Sequence, residues 1–239
     1  MSKRAALLEV IACSVADAVE AEQGGAKRLE IISDFARGGL TPPLELVVDI
    51  LAIVSLPVRV MLRENEGYEI GSEPEKRRLF SAAHEFSRLR IDGLVLGFLR
   101  KGRIDLEVTQ QILECAPRLK ATFHHAFEET EPFPAIREIK KLKQVDRILT
   151  SGGGGEWPEK IARLGRYQEE ASPEIEIIAG GGLASSTIRR ISATTGIREF
   201  HVGRAARVKA SVDGVVKAAR VKVLVEATRD DPRNHTKEH

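Results

Sequence analysis

Eight short β-rich runs recur along this 239-residue chain with helically spaced segments between them, and that alternation restricts the fold more than any other feature. The runs are LLEVIA (7–12), RLEII (28–32), VRVML (58–62), GLVLG (93–97), ATFHH (121–125), RILTS (147–151), EIIAG (176–180) and REFHV (198–202). Most are apolar throughout or nearly so, as strands covered on both faces are. Helix-start signals stand between them. Ser14 precedes Asp17 by three positions, a capping pattern. Pro43 opens the segment from Leu44, and Ser72-Glu-Pro74 opens the next, where proline suits a first helical turn. Asp105 begins a helix that Pro117 stops, and Ser185-Ser-Thr187 begins one that ends at Gly196.

A strand–helix–strand unit pairs its strands in parallel through a right-handed crossover. Eight such units in fewer than about 250 residues predict an α/β fold, a single (β/α)8 TIM barrel. The competing arrangement, an open doubly wound sheet, carries its glycine-rich turn after the first strand. Here those turns follow the sixth and seventh. No linker or composition break divides the chain, so residues 1–227 are expected to form one domain. The polar stretch 228–239 is expected to be a disordered tail.

Composition excludes several classes. The formal net charge is only +2 with charges of both signs interspersed, and aromatics make up 5% of residues, so nothing favours nucleic acid. Glu9 interrupts the apolar N-terminal run, and no stretch approaches the roughly 20 apolar residues of a membrane span. Cys13 and Cys115 are the only cysteines and lie far apart, which suits a reducing cytoplasm.

Barrel active sites lie at the carboxyl ends of the strands. Those ends deliver Glu9, Glu30, Arg63, His124 and His201, a set able to transfer a proton on a polar or anionic small molecule. The same charges would also serve as buried ion pairs, with Arg28, Arg59 or Arg63 compensating Glu9 or Glu30. Residues alternate along a strand, so His124 and His125 cannot both face the mouth unless the strand has already ended. The loops Ser151–Gly152, Gly180–Gly182 and Gly203 supply backbone for an anion or phosphate, or simply make tight turns.

With those residues laid out, the chain resembles the CutC family. The matching pieces, in order, are LLEV (7–10), GGAKRLEI (24–31), GGLTP (38–42), VMLR (60–63), GLVLG (93–97), GRID (102–105), TFHHAFE (122–128), DRILTSGG (146–153), AGGGL (179–183) and REFH (198–201). The resemblance implies a cytoplasmic TIM barrel, a homo-oligomer, and a role in copper tolerance or trafficking. It implies copper ligation through cysteines at positions that here read Ile11 and Ile32. Cys13 lies close by and becomes the metal candidate. His125 and Glu128 stand where the family pattern has arginine and aspartate, and Arg63-Glu-Asn-Glu-Gly-Tyr68 keeps one of two arginines. Three functions follow as expectations: a copper-associated protein, a barrel enzyme doing acid/base chemistry on a small polar or phosphorylated metabolite, and a partner-binding barrel.

Overall fold

Three of the helix-start signals cap as their chemistry predicts, while Pro43 stands just before the helix that begins at Leu44 as its N-cap residue. The Ser14 hydroxyl accepts from the Asp17 N–H at the head of α1 (Val15–Gln23), and Ser72 accepts from Glu75 at the head of α3 (Glu73–Phe86). Asp105 caps α4 (Leu106–Glu114) through Val108. Gly196 ends α7 (Ser185–Thr195) in the left-handed region at φ 74°, where glycine carries no steric cost. The remaining helices are α2 (Leu44–Ile53), α5 (Pro132–Ile139), α6 (Trp157–Ala171) and α8 (Ala218–Thr228). The structure, a computed structural model, describes residues 5–229. Within the expected tail, Thr228 is helical, and residues 230–239 lie outside the described residues.

The barrel strands are β1 (Leu7–Ala12), β2 (Arg28–Ile31), β3 (Val58–Met61), β4 (Gly93–Leu96), β7 (Lys120–Phe123), β8 (Val145–Thr150), β9 (Glu176–Ala179) and β10 (Glu199–Val202). They close in the order β1-β10-β9-β8-β7-β4-β3-β2, with every pairing parallel. The chain is a single (β/α)8 TIM barrel. A two-stranded antiparallel hairpin, β5 (Leu99–Arg100) with β6 (Arg103–Ile104), stands after β4 and was not legible in the alternation.

Two apolar regions result. The large one lies between the strands and the helices. A small one, made of Ile11, Ile32, Met61 and Val95, lies apart from it. Below that small cluster the barrel is filled by charge. Arg28 bonds Glu9 and, at 3.1 Å, Glu199; Glu199 also takes Arg147 at 2.6 and 2.9 Å. Arg147 meets Asp146, whose two oxygens receive Arg59 at 2.9 and 3.0 Å. Arg59 ends the chain on Asp92 at 2.9 Å and Thr122 at 2.7 Å. The expectation of buried ion pairs is met at Glu9 by Arg28. Arg59 is compensated by Asp92 and Asp146 and not by Glu9 or Glu30, because a guanidinium in the barrel interior needs a carboxylate.

Candidate active site

Above this charged floor a cavity of about 210 Å³ opens at the carboxyl ends of the strands. Its walls are Ile11, Ile32, Met61 and Leu149, with Glu30, Arg63, Tyr68, His124 and His201 as its buried or half-buried polar members and His125 and the exposed Arg204 at its edge. Four of the five residues expected to converge do so. Glu9 is the exception: it lies below the cavity, held by Arg28 and by His201 Nδ1 at 2.8 Å.

His201 links the floor to the pocket, with its second nitrogen, Nε2, 3.4 Å from Glu30 Oε2. Register makes this arrangement, because Glu9 pairs with His201 on one side and β1 pairs with β2 on the other. Burial works against charge on all three groups. Against that burial, Arg28 and His201 hold the Glu9 carboxyl far below its ordinary range. Glu30 and Glu9 keep the His201 imidazolium favoured despite its burial. Burial pushes Glu30 up to about 7, an effect His201 offsets only in part and Glu9 reinforces. Its second oxygen, Oε1, is buried and has no hydrogen-bond partner.

His124 follows directly on the end of β7 at Phe123, so the strand has ended before the histidine pair. The residue caps a 3-10 turn, His125–Glu129, and its Nδ1 accepts from the Ala126 N–H at 3.2 Å. A ring nitrogen that accepts carries no proton, which places the proton on Nε2. Burial, with Arg63 and His125 nearby, holds the ring neutral by keeping its pKa well below the usual histidine value. Nε2 is buried and also lacks a partner. His125 is half-buried at the cavity edge and pairs with Glu128 at 3.2 Å. Glu128 in turn receives Thr150 Oγ1 at 2.9 Å and the Ser151 N–H, and against its burial it is lowered to about 2, first by His125 and then by Ser151 and Thr150.

The glycine loops divide. Gly181, Gly182 and Gly203 line the cavity. Ser151, Gly152 and Gly180 do not, and their N–H groups are already given to Glu128, Thr150 Oγ1 and Thr150 O. Cys13 lies outside the cavity. Its sulfur accepts from Arg207 at 3.3 Å, and burial pushes the thiol up to about 11. Sequence reasoning passed over Tyr68 and Met61. Tyr68 packs between Arg63, 4.7 Å from the ring centre, and His124, at 5.1 Å. It stands in the segment that departs most from the family pattern, so no motif pointed to it.

The CutC family model matches residues 6–206. The chain belongs to the CutC family. Its relatives include the human copper homeostasis protein cutC homolog, 34% identical over 197 residues that make up 82% of this chain and 72% of that protein. A CutC family protein of Xanthomonas campestris is 31% identical, with 86% of each chain covered. A CutC crystal structure from Streptococcus agalactiae has a TM-score of 0.76 at 27% identity, covering 83% of this chain and 98% of that one. Phosphoribosyl anthranilate isomerase from Thermococcus kodakaraensis, at 11% identity and a TM-score of 0.64, shares the fold.

Among the described residues, Glu9, Glu30 and His201 have ligand atoms within 4.8 Å of one another and are the group able to share a metal ion. This CutC donor set is oxygen and nitrogen. Copper(I) selects thiolate and thioether sulfur, and the cavity's sulfur is Met61 alone, with Ile11 and Ile32 beside it. The residues present do not fit copper(I).

Proposed function

We propose that the barrel mouth is an acid/base site that moves a proton on a small molecule bearing a carbonyl oxygen. Glu30 is the base, and the neutral ring of His124 is the hydrogen-bond donor to the substrate oxygen. The observation that carries this reading is the pair of buried atoms without partners, Glu30 Oε1 and His124 Nε2, on residues that line one cavity. Leaving a buried polar atom unpaired costs about 1–3 kcal/mol, a cost that a ligand pairing both would remove.

The step follows from the two atoms. Glu30 takes a proton from the carbon next to the carbonyl, and the electron pair left behind moves onto the carbonyl oxygen. The His124 Nε2–H meets the charge that develops there. A base works best with a pKa near the operating pH, and burial puts Glu30 at about 7. His201, set between Glu9 and Glu30, opposes the complete neutralisation that burial alone would impose. A glutamate base with a neutral imidazole electrophile performs such chemistry in another barrel enzyme. The setting for this chemistry is the cytoplasm, where the two free cysteines stay reduced.

Nuclear magnetic resonance of small ketones, 2-oxo acids and sugar phosphates in deuterium oxide tests the reading. Deuterium is expected to enter at least one compound with wild type and to vanish with Glu30→Gln. A loss of about 100-fold is expected for His124→Ala. If no compound exchanges above its background, or Glu30→Gln exchanges as wild type does, the reading fails.

Copper enters as a second reading through the relatives named for copper homeostasis, and the buried Glu9–Glu30–His201 group favours a metal of some kind. Against it, Glu9 already holds Arg28 and His201, and both nitrogens of His201 face carboxylates. Equilibrium dialysis with copper(II) and zinc, on wild type and His201→Gln, checks it.

A further inference from the structure

Four arginines are buried among the described residues: Arg28, Arg59, Arg63 and Arg207. Three are matched by carboxylates, Arg28 by Glu9 and Glu199, Arg59 by Asp92 and Asp146, and Arg207 by Asp17 at 2.9 Å. Arg63 is 8% exposed, lines the cavity, and has no carboxylate within ion-pair distance among the described residues. Glu66 and Glu129 act on it only through space, without an ion pair, and its direct contacts fix its position. Its Nη2 and Nε donate to the backbone carbonyls of Glu66 and Gly67, and its guanidinium lies over the Tyr68 ring. Gly38, at φ 82°, makes room for it, since a Cβ there would stand 3.2 Å from Nη1.

A buried cation without a directly paired counter-charge is costly unless something supplies one. The floor of this barrel shows how consistently the sequence meets that requirement elsewhere. We infer that the substrate supplies it here: the ligand of this pocket is an anion, a carboxylate or phosphate on a small molecule, and Arg63 is the residue that binds it. The inference deepens the proton-transfer reading and rests on it for the site. Tyr68 touches both Arg63 and His124, so the anionic group sits close to the oxygen that His124 addresses. At about 210 Å³ the cavity is smaller than the roughly 300–1,000 Å³ that drug-sized ligands occupy, which fits a compact metabolite. The planar guanidinium suits either anion through paired N–H donors.

Calorimetric titration of the full chain at low salt tests this with oxalate, inorganic phosphate and oxamide, the last a neutral isostere of oxalate. Saturable binding of oxalate or phosphate, with no binding of oxamide, is expected. Oxalate alone identifies a carboxylate ligand, and phosphate alone a phosphate ligand. Arg63→Met is expected to weaken the bound anion at least about tenfold, and Arg63→Lys less. Melting curves establish that each variant is folded, and the oxalate–oxamide comparison needs no variant at all. Oxalate and oxamide binding alike, neither anion saturating, or a folded Arg63→Met binding as wild type does would each overturn the inference. Binding is read without turnover. A pocket that takes oxalate through Arg63 yet exchanges no carbonyl compound would therefore keep this inference and remove the proton-transfer reading, and the converse pattern would do the reverse.

Discussion

Glu30 Oε2 stands 3.4 Å from His201 Nε2, and the same ring bonds Glu9 at 2.8 Å through Nδ1. One imidazolium thus faces two carboxylates in a buried space. Arg28 favours the ionised form of Glu9 and settles which carboxylate carries full charge. Glu30 is the member left to change state near neutrality.

That asymmetry has a measurable sign. The folded Glu30 carboxyl, at about 7, sits above its unfolded value of about 4.3. Between those values the native state binds more protons than the unfolded state, so stability falls as pH rises through the window and levels off above it. His201 shifts stability in the same direction, because a raised histidine contributes below its unfolded pKa and loses that contribution as pH climbs through the folded one. Comparing wild type with Glu30→Gln reads the carboxyl together with its hold on His201. The variant is expected to gain on wild type from about pH 4.5 to 7 and then hold a constant lead, on the order of 3 kcal/mol. Urea melts across pH 4–9 check it, and parallel stability curves would contradict it.

The charged floor predicts a different response. Arg59→Met removes the partner of Asp92, one of the two arginines on Asp146 and one of the bonds of Thr122. Breaking a buried pair costs about 3–5 kcal/mol. Asp92 and Asp146 keep 40% and 26% exposure and can turn toward water, so the lower end, about 3 kcal/mol, is expected. Denaturant unfolding measures this directly. Double substitution with Asp146→Asn should cost less than the sum of the singles, since each single change already removes the Arg59–Asp146 interaction they share.

The barrel was legible because its signal is long-range and repetitive: eight apolar runs, with capping residues such as Ser14, Ser72 and Asp105 marking where helices begin. The site was legible as a list, and less so as a geometry. Nothing in the spacing told that Glu9 would fall below the cavity while Glu30, in register with Ile11 of the neighbouring strand, would face into it. That depends on barrel stagger, which local sequence does not encode. The histidine pair turned on one residue. With the strand ending at Phe123, His124 and His125 escape strand alternation and both reach the cavity. Tyr68 stayed hidden because its role depends on a loop conformation.

Gly97 offers a way to move His124, with Phe123 Cε1 the next atom pressed, at 3.1 Å. A Cβ at this position would lie 2.7 Å from His124 Nδ1 and 2.9 Å from Cε1, closer than real carbon contacts allow. Gly97→Ala therefore is expected to displace the ring and its Nδ1 bond to Ala126. Nitrogen-15 spectra of the imidazole report the outcome, with wild type showing a pH-independent proton on Nε2 through the neutral range. The variant should show mixed tautomers and a titration closer to the ordinary histidine value of about 6.5. An unchanged spectrum would mean the ring is held by something other than the space Gly97 leaves.

Copper(I) gives the last prediction. A soft ion needs sulfur, and Ile11 and Ile32 place branched hydrocarbon beside Met61 in the cavity wall. The thiol of Cys13 is pushed up to about 11 by burial, so at neutral pH it stays protonated, and its sulfur already accepts from Arg207. Binding copper there would require losing that proton and that bond together. In an anaerobic titration against a moderate chromogenic chelator, wild type is expected to leave the chelator's copper(I) in place. Stoichiometric capture by wild type, abolished in Cys13→Ser or Met61→Leu, would reverse the conclusion and locate the ion beside the residue whose loss releases it.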